Sequence, residues 1–325
     1  MPCYHPKFAY DINSSSPLGA KRVISFRTPA YSSGDRPPSF QVPCGTCVGC
    51  RLSQSRDWAN RCLIEASYHR SSYFVTLTYA DEFVPRGWTV DKFTGECFPN
   101  LTLRSRDLQL FLKQVRYRFN QSVRFFACGE YGSHTLRPHY HCLLFGLELS
   151  DLQYYGSSPI GQPYFSSVSL QRCWYDADVG SSRGFVLVGK CSWASAAYVA
   201  RYSLKKKYVS RKEYEKLGLE PEFIRMSRNP GIARRFYDEH PDLMMGTINF
   251  PTEDGGKSFP PPHYFRRLLS EDDPVSAQWL SMEYSRNAEL AQLAELSLTS
   301  LDFYDNLRVK EQSKIRSLSS LERRI

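Results

Sequence analysis

No apolar run in this chain approaches the length of about 20 residues that a membrane-spanning helix requires. No amino-terminal stretch has the charged, apolar and small-residue order of a secretory signal. Both absences lead to the expectation of a soluble, cytosolic protein, in which the ten cysteines are thiols or metal ligands rather than disulfides. Internal repeats and Gly/Ser low-complexity linkers are also missing, which argues against a solenoid or a string of loosely tethered modules. A paired set of CxxC motifs is absent. The segment Asp254-Gly255-Gly256-Lys257-Ser258 resembles the end of a phosphate-binding loop, but Pro251 stands where the first glycine is needed and no apolar strand leads in. An attached nucleoside-triphosphate motor is therefore not expected. Acidic residues are in short supply, with 33 Asp and Glu against 42 Lys and Arg and a net charge of +9.

That excess is localised. From Arg183 to Arg235 there are thirteen Lys or Arg against four Glu and no Asp, a surplus equal to that of the whole chain. Tyr208, Tyr214, Phe223, Phe236 and Tyr237 stand among these cations. Single-stranded DNA is bound by such interleaving, because cations neutralise phosphates while bases stack on rings.

The residues with the most chemistry are Arg137-Pro138-His139-Tyr140-His141-Cys142 and, further on, Tyr198-Val199-Ala200-Arg201-Tyr202. In a strand His139 and His141 project to one side and Tyr140 and Cys142 to the other. The preceding Val123–Tyr131 segment also reads as a strand, and Gly132–Pro138 as a connection. If the hairpin closes symmetrically about that loop, Glu130 falls opposite His139 on the same face. Two imidazoles and a carboxylate, with positions left open for water and phosphate, suit Mg²⁺ or Mn²⁺, the imidazoles favouring Mn²⁺. In a helix Tyr198 and Tyr202 share a face, with Lys205 further along the same side. Ser192 is placed to cap that helix, while Trp193, Ala196, Ala197, Ala200 and Leu204 form an apolar face. Taken singly, the histidines also fit polar positions on a half-exposed strand, and the tyrosines fit ordinary residues in a chain with 21 of them. The in-register glutamate and the tyrosine pair together favour catalysis.

Near the start, Cys44-Gly-Thr-Cys47-Val-Gly-Cys50 places three thiols at regular spacing. Such a knuckle can hold a structural Zn²⁺ if a fourth ligand arrives, with Cys3 the first choice and His5 or Cys62 as alternatives. Reduced structural thiols are the competing reading.

Phe74-Val75-Thr76-Leu77-Thr78-Tyr79, the His139-Tyr140-His141 strand and the Tyr198/Tyr202 helix occur in the order of the three motifs of the HUH endonucleases of rolling-circle replication. Together with Pro43–Arg51, Cys128–Gly132 and Met226-Ser227-Arg228-Asn229-Pro230-Gly231-Ile232, they make the chain resemble the replication initiators of gokushovirus-type microviruses. The resemblance covers roughly residues 1 to 265. It implies an α+β fold, HUH endonuclease-like, with a central antiparallel sheet flanked by helices, an N-terminal cysteine-rich element and a C-terminal helical extension. It also implies a metal-dependent DNA endonuclease that forms a 5′-phosphotyrosine through Tyr198 or Tyr202, helped by Lys205 or Lys206. A free tyrosine has a pKa of about 10, so its phenolate needs such support. The implied partners are single-stranded DNA at the origin and the host helicase and DNA polymerase, in the bacterial cytoplasm. A mobilisation relaxase shares this chemistry. A non-catalytic zinc-dependent DNA-binding protein would need the cysteines but not the tyrosines.

The expected organisation is a cysteine-rich element over residues 1–70, an endonuclease core over 71–248, a linker over 249–273 and helices over 274–325. Helices are predicted from Arg56 to Tyr68 and from Ser105, its N-cap, through Leu108, Phe111, Leu112, Val115 and Phe119. Residues 156–184, rich in Ser, Gly and Tyr, read as a loop able to cover DNA. Trp279, Met282, Leu290, Leu293, Leu296 and Leu301 mark the carboxy-terminal helices.

Overall fold

The computed structural model describes residues 3–12, 17, 23–27, 39–91, 93–132, 135–158, 161–202, 211–252 and 255–322. The chain divides into two compact units, Trp58–Phe236 and a second made of Met1–Asp57 with Tyr237–Ile325.

The unit Trp58–Phe236 is built on a seven-stranded sheet. In spatial order the strands are Phe223–Met226, Arg124–Tyr131, Pro138–Phe145, Ser72–Thr78, Val186–Lys190, Pro163–Ser167 and Leu152–Ser157. Every neighbouring pair is antiparallel. The architecture is thus mixed α and β around a large antiparallel sheet. Strand alternation sends Tyr140, Cys142 and Leu144 to one face, where they meet Val75 and Leu77 of the adjoining strand. Leu108, Phe111, Leu112 and Val115 of the helix Ser105–Phe119 close that core. Each large apolar side chain so buried contributes about 1.5–3 kcal/mol. Ser105 does not cap this helix: Arg104 holds the cap position without a side-chain bond, and the Ser105 amide donates to Glu220 Oε2 at 2.9 Å. The opposite face carries Phe126, stacked on Trp58 at 4.7 Å. Trp58 belongs to the helix Val48–Ser67, which begins earlier than its apolar spacing predicts because Cys50 already lies in the first turn. The helix Trp193–Tyr202 packs on the strands Arg124–Tyr131 and Pro138–Phe145.

The segment 156–184 is not a loop. It supplies the strand Pro163–Ser167, the short helix Val168–Gln171 and the ribbon Tyr175–Asp176 with Ser181–Ser182. Leu170, Cys173 and Trp174 bury in the core, so the segment is held by burial rather than poised over a ligand. Gly184, at φ +154, passes close to the end of the strand Ser72–Thr78, and a Cβ there would stand 2.1 Å from the Thr78 carbonyl oxygen.

In the other unit, Lys7–Asp11 pairs with Ile24–Ser25 and Ser39–Val42 in a three-stranded antiparallel sheet. The segment expected as a linker over 249–273 instead holds the hairpin Ile248–Thr252 with Gly255–Phe259 and the helix His263–Asp272. Gly256, Lys257 and Ser258 therefore lie in a strand, which is not the loop-to-helix geometry of a phosphate cradle. Two further helices follow, Pro274–Leu296 and Phe303–Glu322. Phe303 and Leu307 pack with Tyr4 and Cys47, so the carboxy-terminal helix joins the amino-terminal cysteines in one unit rather than forming a separate extension. Trp279, Met282, Leu290 and Leu293 are exposed, while Leu280 is the buried residue of that helix. Among the described residues no helix is long and apolar enough to cross a membrane.

Candidate catalytic and metal-binding sites

The hairpin closes in the symmetric register, with Glu130 opposite His139 and Cys128 opposite His141. Both imidazoles and the carboxylate consequently share the face opposite the Tyr140 core. His139 Nε2 lies 2.7 Å and His141 Nε2 3.0 Å from the same oxygen, Glu130 Oε1. The other ring nitrogens are occupied from behind. His139 Nδ1–H donates to the Arg137 carbonyl at 3.1 Å, and His141 Nδ1 meets Thr76 Oγ1 at 3.0 Å. Such partners fix the tautomer and direct Nε2 toward the shared Glu130 oxygen. Thr76 lies directly across from His141 in the neighbouring strand. Its alternation with Thr78 is visible in the sequence, but the pairing of these two strands is not.

Glu130 is 1% exposed. Burial by itself raises its carboxyl, yet hydrogen bonds from His139 and His141 and their charge outweigh this and leave it below the usual carboxylate range. Glu130 Oε2 is buried and accepts no hydrogen bond among the described residues. A buried oxygen without a donor is costly. Two imidazole nitrogens turned toward that carboxylate form a mixed N/O set within 4.8 Å of one another, which fits a divalent cation.

Tyr198 stands over this cluster. Its ring is 5.2 Å from the His141 ring at 80° and 6.0 Å from Phe74 at 86°, while Phe74 stacks on His141 at 5.3 Å. The helix that presents it is capped as expected, Ser192 Oγ accepting from the Ser195 amide at 3.1 Å. Ala196, Ala197, Val199 and Ala200 are buried, and Tyr198 turns to the same sheet instead of away from it. Tyr202 ends the helix. Its side chain, like Lys205 and Lys206, lies outside the described residues.

Beneath the site the histidine strand is anchored through Tyr140, whose hydroxyl donates to the Arg104 carbonyl at 2.9 Å and meets the Tyr79 hydroxyl at 2.8 Å. Tyr79 in turn donates to Asp107 at 2.7 Å, and Arg183 pairs with the other Asp107 oxygen at 3.2 Å. Tyr79, Tyr140, Arg183 and the turn Arg104–Asp107 lie far from one another in sequence, so no local pattern marks them together.

The second cluster joins Cys3, Cys44, Cys47 and Cys50. A tetrahedral ion with zinc–sulfur bonds of about 2.3 Å holds its sulfurs about 3.8 Å apart. Here Cys44 and Cys50 are separated by 4.0 Å and Cys3 and Cys47 by 3.9 Å. Amides of Tyr4, Cys44, Thr46, Cys47 and Cys50 donate to these sulfurs. Burial pushes the Cys44 thiol up, but the amides of Thr46 and Cys47 more than offset this and bring it to about 6. Burial raises Cys3 and Cys50. The all-sulfur set fits Zn²⁺. The alternatives His5 and Cys62 are not in it: His5 contacts Glu311 at 2.6 Å, and Cys62 is buried in the sheet unit.

A family model for the replication-associated protein ORF2/G2P matches residues 72–207, a span that holds the sheet cluster and the tyrosine helix. Among curated proteins, the replication-associated protein ORF2 of Spiroplasma virus 4 is 31% identical over 85% of this chain and 83% of its own length. The replication-associated protein VP4 of Bdellovibrio phage phiMH2K is 24% identical over 79% of this chain and 76% of its own. The replication-associated protein ORF4 of Chlamydia phage 1 is 27% identical over 53% of this chain. No solved structure matches. With a relative this similar along most of both chains, and the family model centred on the same strands and helix, the chain belongs to the family of phage replication-associated proteins.

Proposed function

We propose that this protein is an HUH-type endonuclease that nicks and rejoins single-stranded DNA at a phage origin, initiating and terminating rolling-circle replication through a 5′-phosphotyrosine intermediate. The observation that carries this reading is the Tyr198 ring, 5.2 Å from His141, beside a carboxylate oxygen faced by both histidine Nε2 atoms. A Mn²⁺ or Mg²⁺ ion held by Glu130, His139 and His141 would polarise the scissile phosphate. The chain's own groups do the rest. The tyrosine oxygen attacks phosphorus and loses its proton, the bond from phosphorus to the 3′ oxygen breaks, and the released 3′-hydroxyl primes synthesis. Because the phosphotyrosine bond keeps most of the phosphodiester energy, attack by a 3′-hydroxyl reverses the step. Tyr202, one helical turn from Tyr198, is the second nucleophile, so one tyrosine holds the old end while the other cuts the newly made origin. Lys205 and Lys206 stabilise the phenolate or the phosphate charge. A structural Zn²⁺ on Cys3, Cys44, Cys47 and Cys50 organises the other unit. Unwinding and synthesis fall to a host helicase and DNA polymerase in the bacterial cytoplasm.

The test is a denaturant-resistant adduct with 3′-end-labelled origin strand in the presence of Mn²⁺. Wild-type protein should form it, either single Tyr→Phe variant should form some, and Tyr198→Phe/Tyr202→Phe should bind DNA and form none. An adduct in the double variant would move the nucleophile to another of the 21 tyrosines.

A further inference from the structure

The row of residues that gathers the metal-ligand cluster does not end at the histidine strand. Glu130 stands opposite His139 and His139 opposite Thr78, and the ladder runs one step further, the Thr78 amide donating to the Phe185 carbonyl at 3.0 Å. Residues opposite one another across a sheet share a face. Val186 and Val188 are buried in the core on the far side, so Phe185 and Leu187, which alternate with them, lie on the face of His139 and His141. Two strand spacings of about 4.8 Å put the Phe185 backbone roughly 10 Å from that of His139.

This part of the face is apolar, uncharged and open. The helix Trp193–Tyr202 packs on the strands Arg124–Tyr131 and Pro138–Phe145, and its Tyr198 ring reaches Phe74 and His141. Beyond that cover Phe185 is 65% exposed, and its neighbours on the face, Thr76, Thr78 and Leu187, are half-buried and carry no charge. Single exposed apolar side chains are ordinary on a protein surface, but this one continues the row of the ligand cluster and is presented on a fixed backbone. Beside it the Gly184 carbonyl accepts from Gln171 Nε2 at 2.6 Å and from Ser182 Oγ at 2.8 Å, and the Val186 amide donates to Gln171 Oε1 at 3.0 Å. A ring held this way loses little freedom when a flat partner settles on it. The ligand cluster suits the phosphate of a nucleotide, and a neutral ring beside it suits the base.

We propose that Phe185 is a stacking platform for a nucleobase next to the scissile phosphate, a base subsite beside the phosphate subsite of Glu130, His139 and His141. It rests on the nicking reading for the identity of that phosphate, and on the sheet register alone for the place of the ring. A base stacked there holds the strand in one register under Tyr198, so the platform selects which phosphodiester meets the tyrosine.

The test uses the full chain and fluorescent origin-strand oligonucleotides, with binding measured without added metal so that no bond is broken. Phe185→Ala should weaken the intact strand about tenfold, within the range for one lost base–aromatic stack, and Phe185→Trp should restore it. The salt slope should stay unchanged, since no phosphate contact is lost. An abasic site walked along the strand should reproduce the loss in wild type at one position, beside the phosphate that becomes joined to tyrosine in the adduct. The strand abasic there should bind Phe185→Ala no more weakly than it binds wild type, because both changes remove the same contact. Equal affinity of Phe185→Ala and wild type for the intact strand would overturn the platform, as would a Phe185→Trp variant as weak as Phe185→Ala, or losses that multiply at every abasic position. A coupled position several nucleotides from the adduct phosphate would overturn its place beside the scissile bond. If the coupling appears but wild type forms no covalent adduct, the platform stands and the nicking reading falls. An adduct with no coupled position does the reverse.

Discussion

Two buried glutamates stand at opposite ends of the histidine hairpin, and they are neutralised differently. Glu65, 5% exposed, receives the Arg124 guanidinium, the His69 ring at 3.2 Å and the Ala233 amide at 2.5 Å. Glu130, 1% exposed, has two imidazoles on one oxygen and no donor among the described residues on the other. The first is a completed ion-pair network, whose worth lies in holding the Pro230–Ala233 turn against the long helix. The second is an incomplete one, with a buried carboxylate oxygen left for a ligand to satisfy. Equal burial thus accompanies a saturated network in one place and an oxygen left unsatisfied in the other, and the partners decide which.

The sharpest way to break this contrast is to neutralise each carboxylate in turn. Glu130→Gln should abolish nicking and leave the melting temperature unchanged or raised. Removing a ligand nitrogen by His139→Ala or His141→Ala should likewise abolish nicking with the fold intact. Mn²⁺-dependent adduct formation in both histidine variants would sink the metal assignment. Glu65→Gln should cost about 3 kcal/mol of unfolding free energy, because it strands Arg124, while leaving adduct formation by the folded protein in place.

The Glu65 carboxyl also gives the contrast a pH axis. Burial pushes it up, but His69, Arg124 and the Ala233 amide hold it below the ordinary carboxylate value. A depressed folded-state value means that the stabilisation is complete above the unfolded value, about 4.3, and is lost as pH falls through the lower folded one. Thermal melts should therefore show the gap between wild type and Glu65→Gln narrowing below about pH 4.3. A gap that widens in acid would contradict the assignment.

Metal analysis extends the comparison to the other unit. Protein purified under reducing conditions should hold about one zinc, retained in His139→Ala and lost in Cys44→Ser or Cys47→Ser, since a closed thiolate set binds independently of the open imidazole–carboxylate set. Zinc-free wild-type protein would leave the four cysteines as structural thiols. The smallest expected effect is at Thr76: Thr76→Val removes the partner of His141 Nδ1 and should weaken Mn²⁺ affinity about tenfold without abolishing nicking. An unchanged metal titration would show that Phe74 stacking alone orients the ring.

Much of the site was legible where the chemistry is local. Strand alternation puts His139 and His141 on one side, and a symmetric loop sets Glu130 opposite, both short-range rules of backbone geometry. Helical spacing puts Tyr198 and Tyr202 on one face, and the CxxCxxC spacing brings three sulfurs together in the turn that opens the helix Val48–Ser67. The misreadings share a cause. Residues 156–184 look like loop because Ser, Gly and Tyr carry little hydrophobic period, yet Trp174 and Leu170 anchor the segment through burial that no window of sequence displays. The cap of the helix Ser105–Phe119 comes from Glu220, far along the chain, while Ser105 at the expected position does not supply it.

The sequence by itself determined the candidate ligand types, the register of the hairpin that gathers three of them and the helix that bears the tyrosines, since each depends on neighbours within a few residues. Only the tertiary structure decided that Thr76 stands behind His141, that the Tyr198 ring lies on His141 and Phe74, that Cys3 joins the knuckle and that the carboxy-terminal helix packs on it. Those pairings join residues tens to hundreds of positions apart. They are selected by which apolar faces can be buried together, a property of the whole packed chain that no local pattern encodes.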